Sequence, residues 1–509
     1  MICFFLIKPI HRRPFLAIIL FMFFLLSGCR KTDNPEFKTV WSRNFNKLGS
    51  SSSVRCVDLN KDKVLDIVIG AAENEFEPSD SAVVALDGKT GKVLWSVFAQ
   101  DQIVGSAAFL DITHDAVPDI FIGGRSAELI CINGATGKPI WRFQKSEDNA
   151  VLACCLRFNF FNPQIIPDQD NDSLPDILVS NGGNVKAVPF SESERFPGVL
   201  AVFSSKNGQL IAAATMPDGK ETYMSPVIYD FAGQGTTSII FGTGGETIGG
   251  NLFITTLAAV LQGDISGATK LASGAGRGFI APPTLADVTA DGTKDIIVNW
   301  FGGKMIAMDG KTHATIWERP VPGTEVYGTA VPGRFNADDI PDFFSIYNQG
   351  AWPNNKGSVQ LLIDGKTGEV LNSDSLGCMG YASGLTLDIN ADDFDEVIFS
   401  VNDFVCNAPA YAGSSVNNSQ HSLQLLDYHH NTRQAILPAL EAKNVSSTPW
   451  VGDLDQDGFL DIIYCIQRNN MKVDQYRGMR LERLRTNIKI IQPPTWGAYM
   501  GNNGTNVLK

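Results

Sequence analysis

The sequence predicts an all-β fold, an eight-bladed β-propeller of four-stranded antiparallel blades, and three observations carry that prediction. A nine-residue acidic loop recurs roughly every 50–60 residues, each copy followed by a β-rich apolar run. A glycine-bearing turn recurs at a fixed place in the same units. The chain opens on what reads as a fourth strand without its first three, and its last unit lacks a fourth. A unit repeated at that period cannot bury its apolar face alone and stacks on its neighbours, as in propellers and solenoids.

The unit is clearest over residues 53–98. Ser53 to Val57 reads as a first strand, Asp58 to Asp66 as the acidic loop and Ile67 to Gly70 as a second strand. Ala82 to Leu86 and Lys92 to Phe98 give the third and fourth. Between them Asp87-Gly-Lys-Thr-Gly91 reads as a hairpin turn, with glycines where φ > 0 is needed. Similar turns stand at Asn133 to Gly137, Asp309 to Thr312 and Asp364 to Gly368.

Five positions ahead of the loops lies a small residue or proline: Ser53, Ser106, Ser225, Pro282, Thr329, Ser383 and Thr448. The third repeat breaks this pattern, with what reads as an insertion over Asn159 to Pro167. Trp41, Trp95 and Trp317 each precede the next loop by 16 or 17 residues. Residues 38–45 therefore read as the strand that completes the last blade, which begins near Ser446. Such closure hides sheet edges that would otherwise pair with other chains. Seven blades is the alternative, if the unit around Asp230 is not a full blade.

The loops carry the chemistry. Oxygen-bearing side chains stand at positions 1, 3, 5 and 9 of six copies. The first three are Asp58, Asn60, Asp62 and Asp66; Asp111, Thr113, Asp115 and Asp119; and Asp168, Asp170, Asp172 and Asp176. The others are Asp287, Thr289, Asp291 and Asp295; Asp388, Asn390, Asp392 and Glu396; and Asp453, Asp455, Asp457 and Asp461. A hard cation such as Ca²⁺ takes six to eight oxygens at about 2.3–2.6 Å, so about six structural calcium ions are expected. An EF-hand is excluded, because its position-12 glutamate is replaced by Ile69 in the first loop and Tyr464 in the last. Two copies are degenerate. The one at Asp230 offers Ala232, Gln234 and Ser238 and is expected to bind no calcium. In the other, Arg334 is expected to take the cation's place between Asp338 and Asp342.

The loop with its apolar strand resembles the FG-GAP or VCBS repeat of integrin α-subunit propellers and bacterial surface proteins, over nearly all of residues 38–470. The run Leu86 to Trp95 is similar to the quinoprotein (PQQ-type) blade repeat, whose indole fills space between sheets. The first likeness implies calcium between the first and second strands of a blade, and a protein or glycan ligand. The second concerns blade packing and does not imply a quinone cofactor.

The 509-residue chain carries a net charge of −13, which argues against nucleic acid, whose binding needs Lys and Arg on phosphates. Lys8, His11, Arg12 and Arg13 form a positive segment ahead of the apolar run Phe15 to Leu26, which is short for a membrane span. The ending Leu26-Ser-Gly-Cys29 resembles a bacterial lipobox. It implies lipidation of Cys29 and a tether at the cell envelope, with the outer membrane favoured. The division expected is a signal peptide over 1–28, a tether over 29–37, the propeller over 38–486 and a C-terminal tail over 487–509. Cys56, Cys131 and Cys465 read as core residues, and Cys378 with Cys406 as the disulfide.

No catalytic residue is assigned. Gly-x-Ser-x-Gly and His-Glu-x-x-His are absent, and His429-His430 reads as a surface hairpin. Cys154-Cys155 reads as strand neighbours on opposite faces, and the glycine-dense run Gly242 to Gly250 as a loop near the channel mouth. The expected function is an exported, lipid-anchored, calcium-binding propeller acting as a protein or glycan scaffold. A polysaccharide lyase-like or quinoprotein-like enzyme is the alternative.

Overall fold

The computed structural model describes residues 35–143, 156–352, 354–403, 406, 419–444, 446–468 and 476–509. The expected signal peptide, Cys29 and Cys154-Cys155 lie outside these residues. Among the described residues the strands form seven antiparallel sheets, four of four strands, two of five, and one of nine in which Leu440–Lys443 joins the last two blades. The first comprises Arg55–Val57, Asp66–Gly70, Ser79–Leu86 and Val93–Ala99, close to the sequence reading. Later units begin at Ala108, Gln164, Val227, Thr284, Val331, Leu385 and Trp450. The unit around Asp230 has its full set, Val227–Tyr229, Ser238–Gly242, Gly250–Thr256 and Thr269–Gly274, which accords with eight blades. Phe37–Asn46 pairs antiparallel with Gly478–Lys489 as the outer strand of the last blade, as the closure reading expects.

Most of the core lies between blades. Ile67, Ile69, Val84 and Leu86 of the first blade pack with Ile463, Cys465 and Leu481 of the last. Their strand neighbours Val68, Val83 and Ala85 pack with Ile120, Ile122 and Ile130 of the second. Both faces of an inner strand are thus buried, so these strands read as continuous apolar runs rather than alternating ones. Cys131 and Cys465 are buried core residues, Cys56 is half-buried, and Cys378 is joined to Cys406.

The small residue ahead of each loop forms a ring. The N–H of Thr329 donates to Ser383 Oγ (3.2 Å), that of Ser383 to Thr448 Oγ1 (3.0 Å) and that of Thr448 to Ser53 Oγ (3.0 Å). The series continues from Ser53 to Ser106 Oγ (3.2 Å), Ser106 to Asn162 Oδ1 (2.8 Å) and Asn162 to Ser225 Oγ (3.2 Å). Pro282, with neither an N–H nor a side-chain acceptor, ends it. In the third blade Pro163 stands five positions ahead of the loop, and Asn162 serves instead.

The C-terminal segment lies along the first strands. Leu285 N–H donates to Asn506 O (2.8 Å), Val451 N–H to Gly497 O (2.8 Å), and Thr386 and Trp496 exchange two backbone bonds (3.1 and 2.9 Å). Arg55 donates to the carbonyls of Tyr499 (2.6 Å) and Gly501 (3.2 Å), and Gln164 to that of Gly504 (3.2 Å). First strands of five blades therefore hold residues 496–508 in the channel, with Trp496 and Met500 buried.

Candidate functional site

In an antiparallel blade the connection between strands one and two shares a face with the hairpin between strands three and four. The acidic loops therefore stand beside the glycine turns, and the position-9 acid joins the two. Asp66 accepts the N–H of Leu59 (2.8 Å) and of Gly88 in the turn (2.9 Å). Asp119 does the same with Ile112 and Gly134, Asp176 with Gln169 and Ser205, Asp295 with Val288 and Gly310, and Asp342 with Phe335 and Gly365. A Cβ on Gly88 would stand 1.9 Å from the Leu65 carbonyl oxygen, so the turn needs glycine there. Burial pushes these acids up, Asp66 to about 6 and Asp342 to about 7, and Glu396 to about 9.

The tryptophans work on the same turns from the neighbouring blade. The indole N–H of Trp41 donates to Gly88 O (2.8 Å), Trp95 to Gly134 O (2.8 Å), Trp141 to Ser205 O (2.7 Å) and Trp317 to Gly365 O (2.7 Å). In the fourth blade the acid is Ser238 and the helix Leu257–Leu261 follows the third strand, so acid and glycine turn are lost together.

The other positions shape the loop. The position-1 aspartates Asp58, Asp111, Asp168, Asp287, Asp388 and Asp453 accept the N–H of position 6. The position-5 residues Asp62, Asp115, Asp172, Asp291, Asp392 and Asp457 accept that of position 7. Oxygens of Asp168, Asp170 and Asp176 lie within 4.8 Å of one another, and one Asp172 oxygen is buried without a hydrogen bond. That oxygen set fits a hard cation.

Elsewhere nitrogen donors face the oxygens. The Asn60 amide donates to Asp66 (3.3 Å), and the Asn133 amide to Asp115 and Asp119 (both 3.2 Å) and more distantly to Thr113 (3.4 Å). Lys311 pairs with Asp291 (2.8 Å) beside Asp287, Thr289 and Asp295, and the Asn390 amide donates to Glu396 (2.9 Å). His429 and His430 are exposed in a hairpin turn as expected, with His430 Nδ1 3.4 Å from Asp392.

Two loops differ from the expectation. Asp453, Asp455 and Asp461 converge, but on Arg483, whose Nη2 lies 2.5 Å from Asp455, and Arg485 pairs with Asp457. A calcium ion does not fit that loop beside the guanidinium. Arg334 does not bridge Asp338 and Asp342. It lies over the Phe394 ring (5.8 Å) and 3.9 Å from Asp339, while the Asn336 amide donates to Asp342 (3.1 Å).

A cavity of about 560 Å³ lies toward the opposite face, where strands two and three connect. Ser53, Ser106 and Ser225 of the ring line its floor, and Tyr223, Glu246, Tyr327, Trp352, Tyr381 and Phe190 line it too. Glu246 comes from the glycine-dense run 242–250, which the sequence places near the channel mouth. A Cβ on Gly278 would stand 2.3 Å from the Gly244 backbone, so close packing of two chain segments sets this wall. Arg195 pairs with Glu221 (3.5 Å), Arg277 with Glu325 (3.1 Å) and Arg125 with Glu75. Burial, with the charge of Glu325, pushes Glu246 up to about 7. The rings of Tyr327 and Tyr381 are 3.9 Å apart, and those of Phe190 and Trp352 5.6 Å. Tyr223, Tyr327 and Tyr381 stand two positions ahead of Ser225, Thr329 and Ser383, a spacing the sequence reading did not use, whereas Glu246, Phe190 and Trp352 share no such register.

The sequence pattern of the family described as FAM234A/B beta-propeller matches residues 41–381. Protein FAM234A of Bos taurus is 28% identical over 165 residues, 29% of this chain and 28% of that protein. Protein FAM234B of Gallus gallus is 24% identical over 222 residues, 41% of this chain and 33% of that protein. The chain thus spans about a third of the curated relatives it matches. Among solved structures, a europium-containing methanol dehydrogenase has a TM-score of 0.55 at 10% identity, covering 88% of this chain and 93% of that one. Bacillus licheniformis rhamnogalacturonan lyase PL11 has a TM-score of 0.50 at 12% identity, covering 88% and 72%. At such identities these two likenesses show the propeller fold alone.

The family overturns the expected bacterial, lipid-anchored envelope scaffold and its outer-membrane location, since the relatives are animal proteins. The lipobox reading rested on four residues after an apolar run, whereas the family match extends over most of the propeller. Among the described residues, no helix is long and apolar enough to cross a membrane.

Proposed function

The chain belongs to the FAM234A/B β-propeller family, and from that premise we propose that it works by binding, with the cavity at the channel mouth as its ligand site. One observation carries this reading. Residues 496–508 run in the channel along the first strands, while the 560 Å³ cavity offers aromatic and charged groups on the other face. A concave site with a few converging polar groups and a perturbed acid is where a ligand is expected. The occupant is a small molecule or a side chain protruding from a partner.

We also infer a structural role for calcium, first in the third-blade loop with Asp168, Asp170, Asp172 and Asp176 as ligands. The likeness of the loops to FG-GAP and VCBS repeats supports this, as does the Asp172 oxygen that lacks a hydrogen bond and has Lys206 Nζ 3.9 Å away. The loops that start at Asp58, Asp111, Asp287 and Asp388 are further sites of the same type, open once their amide or ammonium donors turn away.

Soaking crystals with a chemically diverse fragment set tests the binding reading. Hits should concentrate between Glu246, Tyr327 and Trp352. Hits scattered over the surface, with the cavity empty, would overturn it.

A further inference from the structure

Resting on that reading of the cavity, we propose that its ligand presents an organic cation, an ammonium or guanidinium group held against Glu246 and the rings of Tyr327, Tyr381 and Trp352. Four glutamates surround the mouth: Glu75, Glu221, Glu246 and Glu325. Three have an arginine each, namely Arg125, Arg195 and Arg277. Glu246 has no ion-pair partner among the described residues. It is the carboxylate left over, and it lines the cavity itself.

The walls favour the same ligand. Aromatic faces carry negative charge density and attract a cation within about 6 Å of the ring centre. Tyr327 lies tilted against Tyr381 and meets Phe301 edge-on (4.8 Å), and Trp352 packs with Phe190, so the lining is ring faces and edges. An anion would meet two lining carboxylates, Glu75 and Glu246, while the lining cations Arg125 and Arg195 are already paired with Glu75 and Glu221. A neutral ligand would leave the half-buried Glu246 without a counter-charge, which is unfavourable.

The groups facing Glu246 are Glu325, Tyr327, Tyr381, Tyr223, Arg277 and Arg195. Both arginines are committed to other glutamates. With Glu246 raised to about 7, only its ionised form, dominant above that pH, offers the full charge. Cation affinity should therefore be highest above neutrality and fall about tenfold per pH unit once Glu246 is mostly protonated.

Isothermal titration of the full chain tests this with two pairs of probes. One pair is choline and its neutral carbon analogue, in which a tert-butyl group replaces the trimethylammonium. The other is the peptide Gly-Gly-Arg-Gly-Gly and its glutamine counterpart. At least one cation should bind, and its neutral twin should bind about tenfold more weakly or worse. Choline binding identifies a small amine as the source, and binding of the arginine peptide identifies a partner's side chain. Glu246→Gln should weaken the cation about tenfold and flatten the pH dependence. Tyr381→Leu, which keeps the carboxylate and removes a ring, should weaken it too. Equal binding of the neutral twins, undiminished binding to Glu246→Gln, or no cation binding at all would overturn the proposal. Neutral fragments lodged in the cavity while both cations fail would sink the cation assignment and leave the binding reading standing.

Discussion

Arg483 is clamped on Asp461, with Nε 2.9 Å from one carboxylate oxygen and Nη2 3.0 Å from the other. In five other blades the equivalent carboxylate accepts an N–H from the turn between strands three and four. The last blade has no such turn, because its fourth strand comes from the other end of the chain. The guanidinium supplies the missing donor and also reaches Gly88 O of the first blade (3.3 Å). Ring closure and the guanidinium that fills the last acidic loop are thus one structural event.

Both members of this pair are buried, with side chains 3% and 1% exposed. Arg483→Met leaves the Asp461 carboxylate without its counter-charge and should cost about 3–5 kcal/mol in urea unfolding. Adding Asp461→Asn should recover part of that loss. A single-variant loss below about 1 kcal/mol, the range of exposed pairs, would show that the clamp is loose.

Closure has an outer seam as well, where Trp41 reaches Gly88. Its indole is half-buried, so Trp41→Ala should cost about 2–3 kcal/mol, less than the 3–5 of a fully buried aromatic. Deleting residues 37–46 should bare the edge of Gly478–Lys489 and drive association, read by light scattering. A monomeric, equally stable truncation would contradict the seam.

Trp496 tests the channel segment. It is 1% exposed and packs with Val331, Phe344 and Val397 of the sixth and seventh blades. Trp496→Ala should cost about 3–5 kcal/mol. Thermal melting that does not shift would mean the segment adds nothing to the ring.

Chelation tests the loops. A metal bound only by the native state at about 100 times its Kd adds about 2.7 kcal/mol, so excess EGTA should lower the melting temperature. Asp170→Ala should remove one calcium from the bound stoichiometry, whereas Asp455→Ala should remove none, since Arg483 already occupies that loop. Equal losses from both variants would speak against this distinction.

The repeat was legible because spacing reports it directly: a turn glycine, a loop aspartate and a tryptophan recur in register whatever the rest of the blade does. The role of the position-9 acid was not, because Asp66 and Asp461 look alike in sequence, and only the fold shows that one faces a glycine N–H and the other a guanidinium. Arg334 misled for a related reason. A charge at a ligand position does not say where a long side chain turns, and the Phe394 face drew it outward. The cavity stayed hidden because Glu246, Glu325 and Trp352 come from connections with no shared pattern. Ser53 and its counterparts were visible as a pattern but not as a hydrogen-bonded ring.

The division of labour between the two faces is tested most directly by measuring melting temperature and fragment binding together on Asp170→Ala and Trp352→Ala. The loop variant should melt lower in calcium yet bind a cavity fragment with unchanged affinity. The cavity variant should lose about tenfold or more in affinity, the loss of an aromatic anchor, with little change in melting. If Trp352→Ala binds the fragment as the wild type does, while Asp170→Ala does not, the binding site lies on the acidic-loop face and the account is wrong.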